Sequence, residues 1–330
     1  MKEEIKKFAK KILPLLVILL ILGITINFLY INLILKEKTF YRKEIIYQDY
    51  ISNITDKKLD YIFFGDSHTF HAINPEFIPN SYNYGTGAEN YIKTFYKLRK
   101  VIYKDHVKVK TIVLELDPHT FSSRLTDETN LFSEIELYSQ FASLEEIKKV
   151  RENDLLLSLW LESRVPFIGK GKEFGILINR PEFNEVYPNG WLKNKANFSL
   201  ADKEKGAINN YESLYVNQER ISNISFEYFI KTIELAKQNN ISIVFIKYPH
   251  TKEYDDIITK HNVTRNDYYN YIFNIVNKTL DVYTVLDYYS LFPDKDYLFG
   301  DPEHVNYIGS EILSKRIYND LKRFNYYKKS

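Results

Sequence analysis

The 330-residue chain contains no cysteine. That absence excludes disulfides, thiolate metal sites and cysteine nucleophiles together. It agrees with an exported protein that does without disulfide staples. Net charge is nearly absent too, with 45 Lys and Arg against 43 Asp and Glu, a formal +2. No basic footprint argues for nucleic acid, and no nucleic-acid partner is expected. The sequence has no Gly-rich phosphate loop and no His/Asp/Glu group with metal-ligand spacing, so neither a cofactor nor a metal is indicated. Internal repeats and low-complexity segments are missing. The 28 tyrosines come with abundant Lys, Ile and Asn, a bias of AT-rich genomes that calls for no functional explanation.

What is present begins with an apolar run from Ile12 to Leu35, about 24 residues, whose polar members are Thr25, Asn27, Tyr30 and Asn32. Such a run spans a bilayer with some tilt. No small-x-small cleavage pattern follows it, so an uncleaved signal anchor is expected rather than a signal peptide. Lys2, Lys6, Lys7, Lys10 and Lys11 precede the run and place residues 1–11 in the cytoplasm, although Lys36, Lys38, Arg42 and Lys43 follow it and weaken the bias. The alternative, a buried core helix, is disfavoured by the length and by the lack of an amphipathic face. Residues 36–57 are expected as a juxtamembrane linker, and residues 58–330 as an extracytoplasmic domain at the cell membrane.

Beyond the linker, short apolar runs alternate with helical spacing. Tyr61–Phe64, Thr111–Leu116, Ile241–Ile246 and Val282–Leu286 are predicted strands. Tyr91–Tyr103, Ser225–Asn239, Arg265–Lys278 and Tyr307–Phe324 are predicted helices. Strands separated by helices indicate βαβ units and a parallel sheet. The stretch from about 122 to 223 breaks this rhythm with a predicted helix at Ser143–Glu152 and turns rich in Gly and Pro, and it is expected to be an inserted cap.

Three short blocks carry chemistry. The first strand stops at Gly65-Asp66-Ser67-His68, a second block reads Asn83-Tyr84-Gly85-Thr86-Gly87, and Asp301-Pro302-Glu303-His304 stands before the last helix with Asn306 and Gly309 behind it. A serine hydroxyl is a weak nucleophile until a base takes its proton, and a carboxylate must hold that base in the right tautomer. These blocks supply such a set in Ser67, His304 and Asp301. The bland alternative is that Asp66 and Asp301 only cap helices. Ligands of open α/β sheets gather at the carboxyl ends of strands, where Ser67, Gly87, Asp117-Pro118-His119 and Tyr248-Pro249-His250 are expected. His68, His71 and His250 are further polar candidates there, more readily bystanders than participants.

The pairing of a serine after the first strand with a late Asp-x-x-His resembles the SGNH (GDSL-like) hydrolase and acyltransferase superfamily. The resemblance implies a three-layer, flavodoxin-like α/β core with a parallel sheet, here with an inserted cap and one N-terminal transmembrane helix. It implies Ser67 as nucleophile, His304 as base and Asp301 as its orienter. The oxyanion would be held by the N–H groups of Ser67 and Gly87, with Gly85 as the alternative to Gly87. The superfamily's third block carries an oxyanion Asn, and this chain has Asp117-Pro118-His119 there. His119 either donates in its stead or is a loop histidine without a role. A similar loss is seen in the membrane-anchored branch that includes the D-alanine transfer protein of lipoteichoic acid and the alginate O-acetylation proteins. That likeness implies O-acyl transfer, an acetyl group above all, to a cell-surface polysaccharide or cell-wall glycan, beside a multispanning membrane-bound O-acyltransferase. A surface carbohydrate esterase using the same triad and a non-catalytic glycan-binding scaffold remain alternatives. Trp160, Trp191 and Tyr187 are aromatic residues of the cap that could stack on sugars or fill its core.

Overall fold

The computed structural model describes residues 2–122, 125, 135–139, 141–168, 170, 173–175, 186–196, 203–215, 222–260, 265–281 and 283–327. The chain divides into two compact units, one of 1–42 with 134–183 and one of 43–133 with 184–330.

In the first unit, helix α1 (Lys2–Leu33) is long and apolar enough to cross a membrane. Two of its polar side chains bond to the preceding turn: Thr25 Oγ1 donates to Ile21 O at 2.9 Å and Asn32 Nδ2 to Phe28 O at 2.8 Å. This local closure is what a helix needs where water is absent. Helix α2 (Thr39–Asn53) begins in this unit and continues into the second. The first unit also holds α5 (Ile135–Tyr138), α6 (Leu144–Val150) and α7 (Leu156–Arg164). A capping box starts α6, in which Ser143 Oγ accepts from Glu146 N–H and Glu146 reaches back to Ser143 N–H.

The second unit is built on a parallel sheet in the order β2-β1-β3-β4-β5, the flavodoxin-like arrangement. Its strands are β1 (Lys58–Phe64), β2 (Ser81–Asn83), β3 (Lys108–Glu115), β4 (Ser242–Lys247) and β5 (Thr284–Asp287). Its helices are α3 (Ser67–Ala72), α4 (Tyr91–Arg99), α8 (Lys203–Tyr215), α9 (Asn223–Gln238), α10 (Lys252–Lys260), α11 (Arg265–Thr279) and α12 (Tyr307–Tyr327).

Both faces of the sheet are covered, which explains why its central strands are apolar without alternation. Tyr61, Phe63, Val113, Val244 and Ile246 pack with Leu313, Ile317 and Leu321 of α12. On the other face Phe245 meets Phe229 of α9, whose ring also meets Tyr91 of α4. Ile62, Phe63 and Phe64 are buried, each contributing about 1.5–3 kcal/mol. In register, Phe64 stands beside Leu114 and Leu114 beside Phe245. The ends of β1 and β3 therefore lie together at the point where strand order reverses.

The α/β class, the parallel sheet and the apolar N-terminal helix match the sequence-based expectation. Strand β2 does not figure in that expectation. The last strand begins at Thr284 rather than Val282, and Val282 lies outside the described residues.

Candidate active site

The chain can turn sharply after β1 because position 65 is glycine. At its φ of +157° an added Cβ would lie 2.1 Å from Thr69 Oγ1 and 2.3 Å from Glu115 Oε2, so no side chain fits. Asp66 then caps α3, its Oδ1 accepting from His68 N–H at 2.9 Å. Ser67 is thereby fixed as the first residue of α3, partly exposed at the carboxyl end of β1.

The late block forms a tight loop closed by Gly300 N–H donating to His304 O at 2.8 Å. Asp301 Oδ1 accepts from the N–H groups of Glu303 and His304 at 2.9 and 2.8 Å. The same carboxylate holds His304 Nδ1 at 2.8–2.9 Å. His304 Nε2 lies 2.8 Å from Ser67 Oγ, although 237 residues separate the two in sequence. Asn306 Oδ1 caps α12 by accepting from Ile308 and Gly309 N–H at 3.0 and 3.1 Å. A Cβ at Gly309 would stand 2.4 Å from Leu298 O. Asn306 and Gly309 thus shape the approach of α12, and Asp301 and His304 face the serine.

The electrostatics favour an ion pair. Burial opposes charge on the His304 ring, but the Asp301 carboxylate, its hydrogen bond and the acids behind it raise the pKa to about 9. Burial likewise works against the Asp301 carboxylate, yet His304 and the two loop amides hold its pKa well below the usual range. The imidazoles flanking His304 behave oppositely. His68, with its ring centroid 4.8 Å away, is pushed down to about 4, chiefly by burial. His71, at 5.4 Å, is pushed to about 3 by burial and by the His304 charge. Neither competes with His304 for a proton at neutral pH.

A buried acid–imidazole cluster adjoins the turn that carries Ser67. Asp66 Oδ2 lies 2.6 Å from His119 Nε2, and Asp66 Oδ1 lies 3.0 Å from His68 Nδ1. Glu115 Oε2 accepts from Asp66 N–H at 2.9 Å, and Glu115 Oε1 is 3.4 Å from His119 Nε2. Although burial disfavours charge throughout, Asp66 holds His119 well above its usual pKa, and the two imidazoles hold Asp66 well below. Burial and the Asp66 charge push Glu115 up. These shifts describe a carboxylate–imidazolium pair of Asp66 and His119 beside a neutral His68, with the charged form of Glu115 disfavoured.

The four side chains also carry metal-ligand atoms within 4.8 Å of one another, a grouping invisible as spacing along the chain. Ligands about 2.0–2.1 Å from a tetrahedral ion sit about 3.3 Å apart. The 2.6 Å separation of Asp66 and His119 is that of a charge-assisted hydrogen bond.

The expected oxyanion donors fall apart into used and open groups. Gly85 N–H donates to Asn83 Oδ1 at 3.0 Å, and Gly85 O accepts from the buried Lys43 ammonium. His119 commits Nε2 to Asp66 in a buried pair, so that nitrogen has no proton left for an oxyanion. Gly87 is exposed, with open space where a Cβ would be. His250 is buried, its ring 5.2 Å from that of His68 and stacked on Tyr254 at 5.0 Å.

Residues 186–196, expected inside the inserted cap, fold onto this site. Asn189 O accepts from Asn83 N–H at 3.0 Å, Trp191 Nε1 donates to His71 O at 2.9 Å, and Asn194 O accepts from Tyr307 N–H at 2.9 Å. Trp191 is buried here, so its face is not offered to a sugar. The signal for this role was Gly190, which at φ +86° would place a Cβ 2.1 Å from Asn83 O.

No family model matches the chain, and no curated protein matches it. Solved structures similar to it include one described as an acylhydrolase from Bacteroides fragilis, at 12% identity and a TM-score of 0.36, covering 84% of this chain and 96% of that one. A GDSL-like lipase from Bacteroides thetaiotaomicron is similar at 12% identity and a TM-score of 0.38, covering 86% and 98%. A protein described as a platelet activating factor from Streptococcus pneumonia is similar at 12% and 0.39, covering 89% and 96%. Likeness at this level assigns neither family nor activity to the chain.

Proposed function

We propose that the chain is an SGNH-type serine acyltransferase, held at the membrane by α1 and moving an acyl group to a hydroxyl of a cell-surface glycan. The observation that carries it is the chain of contacts from Ser67 Oγ through His304 to Asp301, at 2.8 and 2.8–2.9 Å. That is hydrogen-bond reach for a nucleophile, its base and the base's orienter.

In this mechanism His304 Nε2 takes the Ser67 proton as Oγ attacks the acyl carbonyl. The N–H groups of Ser67 and Gly87 stabilise the oxyanion. The tetrahedral intermediate collapses when His304 returns the proton to the leaving oxygen, which leaves an acyl ester on Ser67. A sugar hydroxyl then gives its proton to His304 and attacks the ester, and the second tetrahedral intermediate breaks its bond to Ser67 Oγ, which takes the proton back from His304. Asp301 keeps Nδ1 protonated throughout and steadies the imidazolium. An anchor by α1 favours transfer beside a multispanning membrane-bound O-acyltransferase that would supply the acyl group, an acetyl by resemblance.

Hydrolysis is the second reading, because Ser67 and His304 are both partly exposed and water reaches them. The deciding experiment incubates the full chain with a generic acetyl ester, with and without candidate glycans. The result expected is an acetyl adduct on Ser67, seen by mass spectrometry, and acetylated sugar growing with acceptor at the expense of free acetate. Acetate release indifferent to acceptor would support the esterase. An unmodified Ser67 would leave a glycan-binding scaffold.

A further inference from the structure

Helix α7 carries an apolar edge that its own unit leaves uncovered. Leu156 is 46% exposed, Leu157 66% and Trp160 47%, three positions that fall within about 100° of one another on a helix, and Leu155, the residue that leads into α7, is 74% exposed. Another side of α7 is spent inside the unit, since Leu159 is buried and α7 packs on α5 and α6. Large apolar side chains massed on one helical edge mark a surface that meets something other than water.

The same unit shows what that is. Large apolar residues of α1 from Leu13 to Leu29 are exposed, and from Tyr30 onward cover begins: Tyr30 and Ile34 are 0% exposed and Leu35 is 3%, while Leu33 remains 44% exposed. Their cover comes from Phe167 and Phe174. Tyr30 Oη donates to Glu173, and Lys38 Nζ reaches Glu173 Oε1 at 2.9 Å. The protein begins to wrap α1 at this point, so a bilayer around α1 must end there. From Leu13 to Leu33 an α-helix rises about 30 Å, the thickness of a hydrocarbon core. Arg164, the last residue of α7, is three residues from Phe167, a reach of about 10 Å at most. Helix α7 is therefore tied to the edge of the membrane. Its composition suits that place, with leucines to enter the acyl region, Trp160 at headgroup level and the exposed Arg164 four residues on to snorkel outward.

We infer that α7 lies in the lipid interface as a second, monotopic attachment, its Leu156–Leu157–Trp160 edge inserted into the leaflet at the C-terminal end of α1. The occupant of the edge is lipid. The inference rests on α1 being the anchor, and the test separates the two.

The chain has two tryptophans, and Trp191 is buried, so the difference between the parent and Trp160→Phe reports Trp160 alone. The full chain is reconstituted into phosphatidylcholine vesicles carrying bromine either high or deep on the acyl chains. Flotation with the vesicles reads the anchor. Shallow bromines are expected to cut the Trp160 signal about twofold, deep bromines less, because an interfacial helix sits about 5–10 Å into the boundary. Flotation without quenching would overturn the inference while leaving the anchor standing. Failure to float would overturn both. A Trp160 that resists bromine in pure lipid, yet is shielded from aqueous acrylamide in native membranes, would assign the edge to a membrane protein instead and overturn the lipid assignment.

Discussion

Among the described residues, the Ser67 hydroxyl makes its hydrogen bond to His304, and its removal disturbs little else. Ser67→Ala is expected to abolish the acyl adduct and leave the thermal midpoint within about 2 °C, an effect below about 0.5 kcal/mol. Acidity gives a second check. With its pKa at about 9, His304 is protonated at neutral pH and cannot accept the Ser67 proton. The rate of Ser67 acylation should therefore climb about tenfold per pH unit until it levels near pH 9. Stability should run the other way. The folded ring binds its proton more tightly than the unfolded one, whose pKa is about 6.5. Its contribution is full below about 6.5 and is lost as pH rises through about 9. Asp301→Asn should move the acylation midpoint toward 6.5 and flatten that part of the urea-midpoint profile. Ser67, His304 and Asp301 were legible as candidates because a turn and an Asp-x-x-His are local features. The Asp66–His119 pair was not, since a buried charge finds its partner only after distant strand ends meet. His119 was noticed for its position, and its partner could not be.

At the level of elements, legibility followed apolar continuity. Strands β1, β3 and β4 are buried on both faces and spell themselves as unbroken runs of Ile, Val and Phe. Strand β2 is Ser81-Tyr82-Asn83, too short and too polar to stand out, and it pairs with β1 along only three residues. Helix α12 was legible from its spacing and its cap. Asn306 also donates to Tyr297 O at 2.7 Å and Phe299 O at 3.2 Å, so it joins the loop to the helix. Asn306→Ala should cost about 2–3 kcal/mol, one part for the cap and the rest for buried carbonyls left unbonded. A urea titration of the full chain in detergent would read this as a lowered midpoint with unchanged slope. Gly65→Ala strikes the opposite end of the site, where the new methyl would press on Thr69 and Glu115. About 3 kcal/mol of destabilisation is expected, together with loss of the Ser67 adduct.

For the whole molecule, the expectation that concerns its place in the cell is tested on intact cells. If residues beyond α1 face outward, added protease should remove them, and their survival until the membrane is breached would reverse the orientation. The sequence shows a parallel sheet, but strand order depends on which edges meet and leaves no mark in any one segment. It also shows an interruption between β3 and α9 without showing where the interruption returns to the core. That return begins by Val186, where the chain pairs with Leu192 across a small bridge and Gly190 passes against the backbone of Asn83. The consequence is one for engineering. A minimal version of this chain can be sought by excising 134–183, but a cut that runs on through Asn194 would remove the hydrogen bonds that Asn189, Trp191 and Asn194 make to Asn83, His71 and Tyr307. Grafting the segment 186–194 between related chains would be a way to exchange those contacts while Ser67, His304 and Asp301 stay where they are.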